Sequence, residues 1–154
     1  LYFIHADTLP PSKFFIDIQE ALKADFPIGS YRFRFDSKRF LLKINSYFTR
    51  FDRIMCRGGD QSLYVSRNLF IDLGGFKNEY VIMEEYEFII RAKKVASFRI
   101  MDGDTIVSAR KYDENSYLRV NIANFSVFML FFMGVKPKRL LRIYKSLLNH
   151  PTYT

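Results

Sequence analysis

Leu1-Tyr2-Phe3-Ile4-His5-Ala6-Asp7-Thr8 is an apolar run that stops at a histidine and an acid, just ahead of Pro10 and Pro11. Four apolar residues with aromatic and β-branched members, closed by polar groups, read as a fully buried strand delivering His5 and Asp7 to its C-terminal edge. In open α/β sheets, ligands bind in the crevice outside the carboxyl ends of the strands. Asp7 is therefore a candidate metal or substrate ligand. A buried parallel strand needs neighbours and crossover helices, so the expectation is that further strands belong ahead of Leu1.

Working outward, Pro10 and Pro11 end the strand and Ser12 can cap a helix to about Asp25. Phe14, Phe15, Ile18, Ala21 and Leu22 share its expected core face. Tyr31-Arg32-Phe33-Arg34-Phe35-Asp36 alternates aromatic and charged residues, the pattern of a half-buried strand. Basic residues interleaved with aromatics could also read single-stranded nucleic acid. No second such strand or glycine-rich aromatic motif accompanies it, and nucleic acid is the less favoured partner. Lys38 to Met55 reads as a second amphipathic helix with Leu41, Ile44, Tyr47, Phe48 and Phe51 on its core face. A turn over Gly58 to Gln61 leads into a strand from Ser62 to Ser66, and a short helix from Arg67 to Leu73 closes on Gly74 and Gly75.

Glu84, Glu85 and Glu87 open a helix reaching about Val95. Acids in a first turn are favoured by the helix dipole, yet a carboxylate facing a cleft there can also act as general base toward a hydroxyl. Phe98 to Asp102 and Thr105 to Ala109 read as two strands joined by a hairpin at Gly103-Asp104, with Arg110 and Lys111 placed beyond them to meet an anion. From Tyr117 to Met133 the chain is apolar; Gly134 ends that helix and Pro137 starts a basic one to about Asn149.

Composition sets the limits. At 154 residues, with 49% hydrophobic and 18% aromatic, the chain can bury a core and is too apolar for disorder. Cys56 alone cannot form an internal disulfide, and with only His5 and His150 beside it a structural zinc cluster is excluded. A reducing, cytoplasmic setting is expected. The opening residues lack the charged leader of a signal peptide, and the longest apolar run, Phe125 to Val135, is about half the ~20 residues of a bilayer span. The net charge of +8 implies attraction to phosphate. Lys136, Lys138, Arg139, Arg142 and Lys145 on the last helix form either a solvated face or an in-plane attachment to the cytoplasmic membrane face.

Taken in order, His5-Ala6-Asp7-Thr8, Tyr31 to Asp36, Gly58 to Arg67, Leu69 to Phe76, Met83 to Phe88 and Ile106 to Tyr112 resemble the family 2 glycosyltransferases of GT-A fold. They are most similar to the compact bacterial subgroup of radical-SAM/selenodomain-associated transferases. The resemblance runs from Leu1 to about Tyr144. It implies an α/β fold, the C-terminal portion of a Rossmann-like mixed sheet flanked by helices. Residues 1–112 would carry the metal- and acceptor-binding part, and residues 113–154 the apolar and basic amphipathic helices.

The resemblance also implies roles. Asp7 would bind Mg²⁺ or Mn²⁺ carrying a nucleotide-sugar diphosphate, with His5 standing where the family has the first acid of its Asp-x-Asp motif. Glu84 and Glu85 match the family's Glu-Asp pair, so Glu85 would be the general base, one methylene longer than the usual Asp. Arg110 and Lys111 would contact the diphosphate, while Tyr112 replaces a Trp. Gly59, Asp60 and Gln61 would lie on the acceptor side, where a lipid-linked acceptor is one expectation. The resemblance implies that the family's opening strands, including the acid that binds the nucleobase and ribose, belong ahead of Leu1. The implied reaction is inverting, metal-dependent transfer of a sugar to an acceptor hydroxyl by a glycosyltransferase fragment, with self-association through an exposed sheet edge. The alternative is a non-catalytic remnant that binds a membrane or an anionic partner.

Overall fold

The computed structural model describes residues 1–57 and 61–149. Among them the chain builds a mixed five-stranded sheet and seven α-helices, an α/β architecture. It divides into two compact units, Leu1–Phe76 with Glu85–Ser108, and Lys77–Glu84 with the residues from Ala109 onward.

The first unit carries β1 (Tyr2–Phe3), β2 (Thr8–Leu9), α1 (Phe14–Lys23), β3 (Ile28–Phe35), α2 (Phe40–Phe48), a 3₁₀ turn (Ile54–Cys56), β4 (Leu63–Val65), α3 (Arg67–Asp72), α4 (Glu84–Ala92) and β5 (Phe98–Val107). Residue Glu84, which opens α4, is counted with the second unit. The strand order is β1-β4-β3-β5-β2, and β3 with β5 is the parallel pair. Alternation decides how β3 sits. Tyr31, Phe33 and Phe35 are buried, whereas Arg34 is exposed and Arg32 bonds Asp104 at 3.1 Å. With its three aromatics in the core, the strand has none to stack on a nucleobase.

One core cluster joins Ile28, Leu63 and Val65 to Phe88, Ile89 and Ala92 of α4. The other joins Tyr31, Tyr64 and Met101 to Ala21 of α1. Because side chains alternate along a strand, Ile28 and Tyr31 point to opposite faces, so α4 and α1 cover different faces of the sheet. The tightest point is Gly29. A Cβ there would stand 2.2 Å from the Arg99 carbonyl oxygen and 2.6 Å from the Tyr64 ring. The Tyr64 hydroxyl donates to Phe26 O at 3.3 Å, and burial pushes its phenol up to about 12.

Four expectations need correction. Leu1 to Ile4 is not a fully buried parallel strand; β1 is two residues long, pairs antiparallel with β4 at the sheet edge, and leaves Leu1 and Ile4 exposed. Phe98 to Ala109 is not a hairpin. It forms a single strand, β5, and Gly103 sits in a bulge where the register with β3 jumps from Tyr31↔Met101 to Arg32↔Asp104. That bulge needs φ +114 at Gly103, a backbone readily open to glycine, so the turn signal was real but its consequence was different.

In α1, Phe15 and Leu22 are exposed and the packing falls on Phe14, Ile18 and Ala21. In α2 the expected core face points outward, and the buried residues of that segment are Leu42 and Thr49. The physical reason lies in β3. Beyond Ser30 it has no β4 partner, and the buried Thr49 hydroxyl accepts the Phe33 N–H at 3.2 Å, so α2 covers an open strand flank through a narrow contact.

The second unit carries α5 (Lys111–Glu114), α6 (Tyr117–Phe132) and α7 (Pro137–Leu147). Ser116 caps α6, and Gly134 at φ +76 turns the chain and Pro137 opens α7, as the sequence signals require. Leu140, Tyr144 and Leu148 are buried, and the Tyr144 hydroxyl donates to Asn124 Oδ1 at 3.2 Å. The apolar side of α7 is thus occupied by protein. Among the described residues no helix is long and apolar enough to cross a membrane.

Gly29→Ala should destabilise the chain by about 3 kcal/mol or more, because the clash is with main chain and a buried ring. Denaturant unfolding measures it, and a change below about 1 kcal/mol would contradict the packing at β3.

Candidate functional site

The site begins with a buried cation. Arg57, 5% exposed, follows the 3₁₀ turn and reaches back into the first unit. Its Nη1 donates to Ser30 Oγ at 2.8 Å and to Gln61 Oε1 at 3.3 Å, and its Nη2 donates to the Phe51 carbonyl. The Arg57 carbonyl in turn accepts the Tyr86 hydroxyl of α4. Its guanidinium carbon lies 5.3 Å from the Phe98 ring centroid. Burial lowers the guanidinium's pKa from its ordinary value, with Asp52 opposing. Asp52 itself bonds Lys93 at 2.6 Å.

Ser30, Arg57, Gln61, Ser62, Glu85 and Tyr86 border one small cavity of about 10 Å³, room for roughly one water. Two buried polar atoms there, Arg57 Nε and Gln61 Nε2, have no hydrogen-bond partner among the described residues. Buried polar groups are nearly always satisfied, and a polar guest in the cavity would satisfy these donors.

Two of the residues named from the sequence, Gln61 and Glu85, border this cavity, and a third, His5, stands beside Glu85. Glu85, with a side chain 15% exposed, borders the cavity, and its Oε1 stands 3.8 Å from His5 Nε2. Gln61 is held by Arg57. The two neighbouring acids separate by position: Glu87 is clamped by Arg91 at 2.7 and 2.8 Å, whereas Glu84 opens α4. Arg91 also donates to Gly75 O at 2.8 Å, so Glu87 serves to fix α4 against the end of α3. Met83, just ahead of the pair, holds a left-handed backbone at φ 65, which is costly for a residue with a side chain.

Asp7 is exposed on the turn closed by Thr8 N to His5 O at 3.1 Å. Gly59 and Asp60 lie outside the described residues. Arg110 and Lys111 belong to the second unit, where Arg110 is exposed ahead of α5 and the Lys111 ammonium lies 6.0 Å from the Tyr144 ring centroid. Among the described residues no three His, Cys, Asp or Glu are grouped to hold a metal ion by themselves. Arg57, Ser30 and Tyr86 escaped the sequence reading; Arg57 is one of 24 cations, and nothing local marks it as buried.

No family model, no curated protein and no solved structure matches the chain.

Arg57→Ala should cost about 3 kcal/mol in thermal or denaturant unfolding, because it strips buried acceptors of a charged donor. Arg57→Lys should recover little, since an ammonium cannot reproduce the planar fork that reaches Ser30, Gln61 and Phe51 together. A loss below about 1 kcal/mol in both variants would mean that the guanidinium does not hold this loop.

Proposed function

We propose that the chain belongs to a GT-A-type glycosyltransferase, with Glu85 as general base toward an acceptor hydroxyl. The observation that supports this reading is convergence. Gln61 and Glu85, far apart in sequence, border one small cavity, and His5, from a third stretch, stands 3.8 Å from Glu85.

The chemistry follows from the residues present. Glu85 takes the proton of the acceptor hydroxyl while that oxygen forms its bond to the anomeric carbon. The bond from that carbon to the diphosphate oxygen breaks as the new one forms, its electron pair leaves with the nucleoside diphosphate, and configuration at the carbon inverts. His5, 3.8 Å from Glu85, orients the carboxylate, and Gln61, fixed by Arg57, offers a side-chain amide to a hydroxyl. Low exposure at Glu85 removes competing water from the proton transfer.

A divalent cation is compatible with this donor set. Mg²⁺ binds through one or two carboxylates and takes its remaining oxygens from phosphates and water. Asp7 supplies one exposed carboxylate, so it would hold the ion together with a diphosphate. Bound there, the ion would neutralise charge on the leaving group.

The rival reading is a non-catalytic module in which the Arg57 network is purely structural, and the small size of the cavity favours it. The two separate on Glu85. With nucleotide-sugar donors and simple hydroxyl acceptors, Glu85→Gln should lower transfer by about 10²- to 10⁴-fold while Glu85→Asp retains it. Transfer that survives Glu85→Gln unchanged, or is absent from the unaltered chain with every donor tried, would overturn the proposal.

A further inference from the structure

The outward face of α2 carries a chemistry that its packing does not use. Phe40 is 73% exposed, and Ile44, Tyr47, Phe48 and Phe51 are exposed with it. At about 100° per residue, Phe40, Ile44 and Tyr47 lie roughly 140–200° round the helix from buried Leu42, and exposed Phe51 follows just beyond the helix end. The apolar stripe therefore points away from the buried side of the helix. Tyr47, Phe48 and Phe51 touch one another, with ring centroids 5.8 to 6.3 Å apart.

Cations accompany the stripe. Lys38, Arg39, Lys43, Arg50 and Arg53 lie within the same segment, against one acid, Asp52, which Lys93 holds at 2.6 Å. Lys43 falls roughly 100° from Leu42, along one flank of the apolar face, with Arg39 at the start of the helix and Arg50 just past its end. The Arg50 guanidinium stacks on the Tyr47 ring at 4.0 Å.

We propose that α2 is a peripheral docking surface for an anionic lipid bilayer, lying in the interface plane with its aromatic stripe at headgroup depth. The occupant is chosen by shape and charge. A helix packed on β3 through one narrow face presents a ridge, which suits a deformable plane and gives a partner peptide no groove. Its aromatic side chains belong at the boundary between headgroups and acyl chains, and its cations attract anionic lipid. A second copy of the chain would bring the same cations against themselves. This inference stands apart from the transferase reading, although the Phe51 carbonyl that accepts from Arg57 joins the stripe to the cavity.

The test is co-sedimentation of the whole chain with phosphatidylcholine vesicles, with and without phosphatidylserine. Binding should be at least about ten-fold stronger with phosphatidylserine and should fall as salt rises. Phe40→Ser/Tyr47→Ser/Phe51→Ser, all exposed positions, should abolish it with the far-ultraviolet circular dichroism unchanged. Lys43→Glu/Arg53→Glu should remove the preference for anionic lipid. Phe125→Ser/Phe132→Ser on the exposed side of α6 should leave binding intact. The chain has no tryptophan, so Phe48→Trp gives a single reporter whose emission should shift to the blue on anionic vesicles. Absence of vesicle binding, equal binding to neutral vesicles, loss through the α6 variant rather than the α2 variant, or a dimer that the α2 variant dissolves would overturn the proposal.

Discussion

The first unit depends on one buried guanidinium. Arg57 bonds Phe51 beyond the end of α2, Ser30 on the central strand and Gln61 ahead of β4, and its own carbonyl receives Tyr86 from α4. Taking a guanidinium out of water is costly, and here neutral oxygens and an aromatic face replace the lost hydration instead of a carboxylate. Such a group holds its surroundings because each acceptor it engages would otherwise be buried and unsatisfied. Arg57 is thereby tied to two elements remote from it in sequence, β3 through Ser30 and α4 through Tyr86.

The sheet supplies the surface on which this is possible. Gly29 lets the Tyr64 ring and the Arg99 carbonyl close on the main chain of β3, which seats the tyrosines in the α1-side core. Ser30, the next residue, points to the other face, where α4 lies and where Arg57 meets it. Glu85 arrives on that same face through the first turn of α4, and Arg91 secures the helix by binding Glu87 and the carbonyls of Leu73 and Gly75. Both faces of the sheet pack, and on the α4 face Ser30 leaves the small cavity that Arg57 and Glu85 border.

Much of this was legible in the sequence because it is local. The alternation from Tyr31 to Phe35, the Gly74-Gly75 stop, the Gly134 break and Pro137 each act within a few residues, and each has its expected consequence. The failures share a different cause. Helical periodicity identifies the apolar face of α2 but cannot say whether anything is there to cover it. Gly103 marks a departure from regular strand, yet whether it makes a turn or a bulge depends on the register with β3, a strand some seventy residues earlier. In the candidate site, His5, Gln61 and Glu85 could be named from their stretches, whereas Arg57 could not, since its burial arises from the fold alone.

Under the proposed function, Glu85 and the turn bearing Asp7 serve a nucleotide-sugar site. Calorimetric titration of the chain with a panel of nucleoside diphosphates, with and without Mn²⁺, tests it most directly, repeated on Asp7→Ala. The account predicts Mn²⁺-dependent heat for at least one nucleoside diphosphate, lost in Asp7→Ala while the fold is retained. No heat with any member of the panel, or heat indifferent to Asp7→Ala, would contradict it.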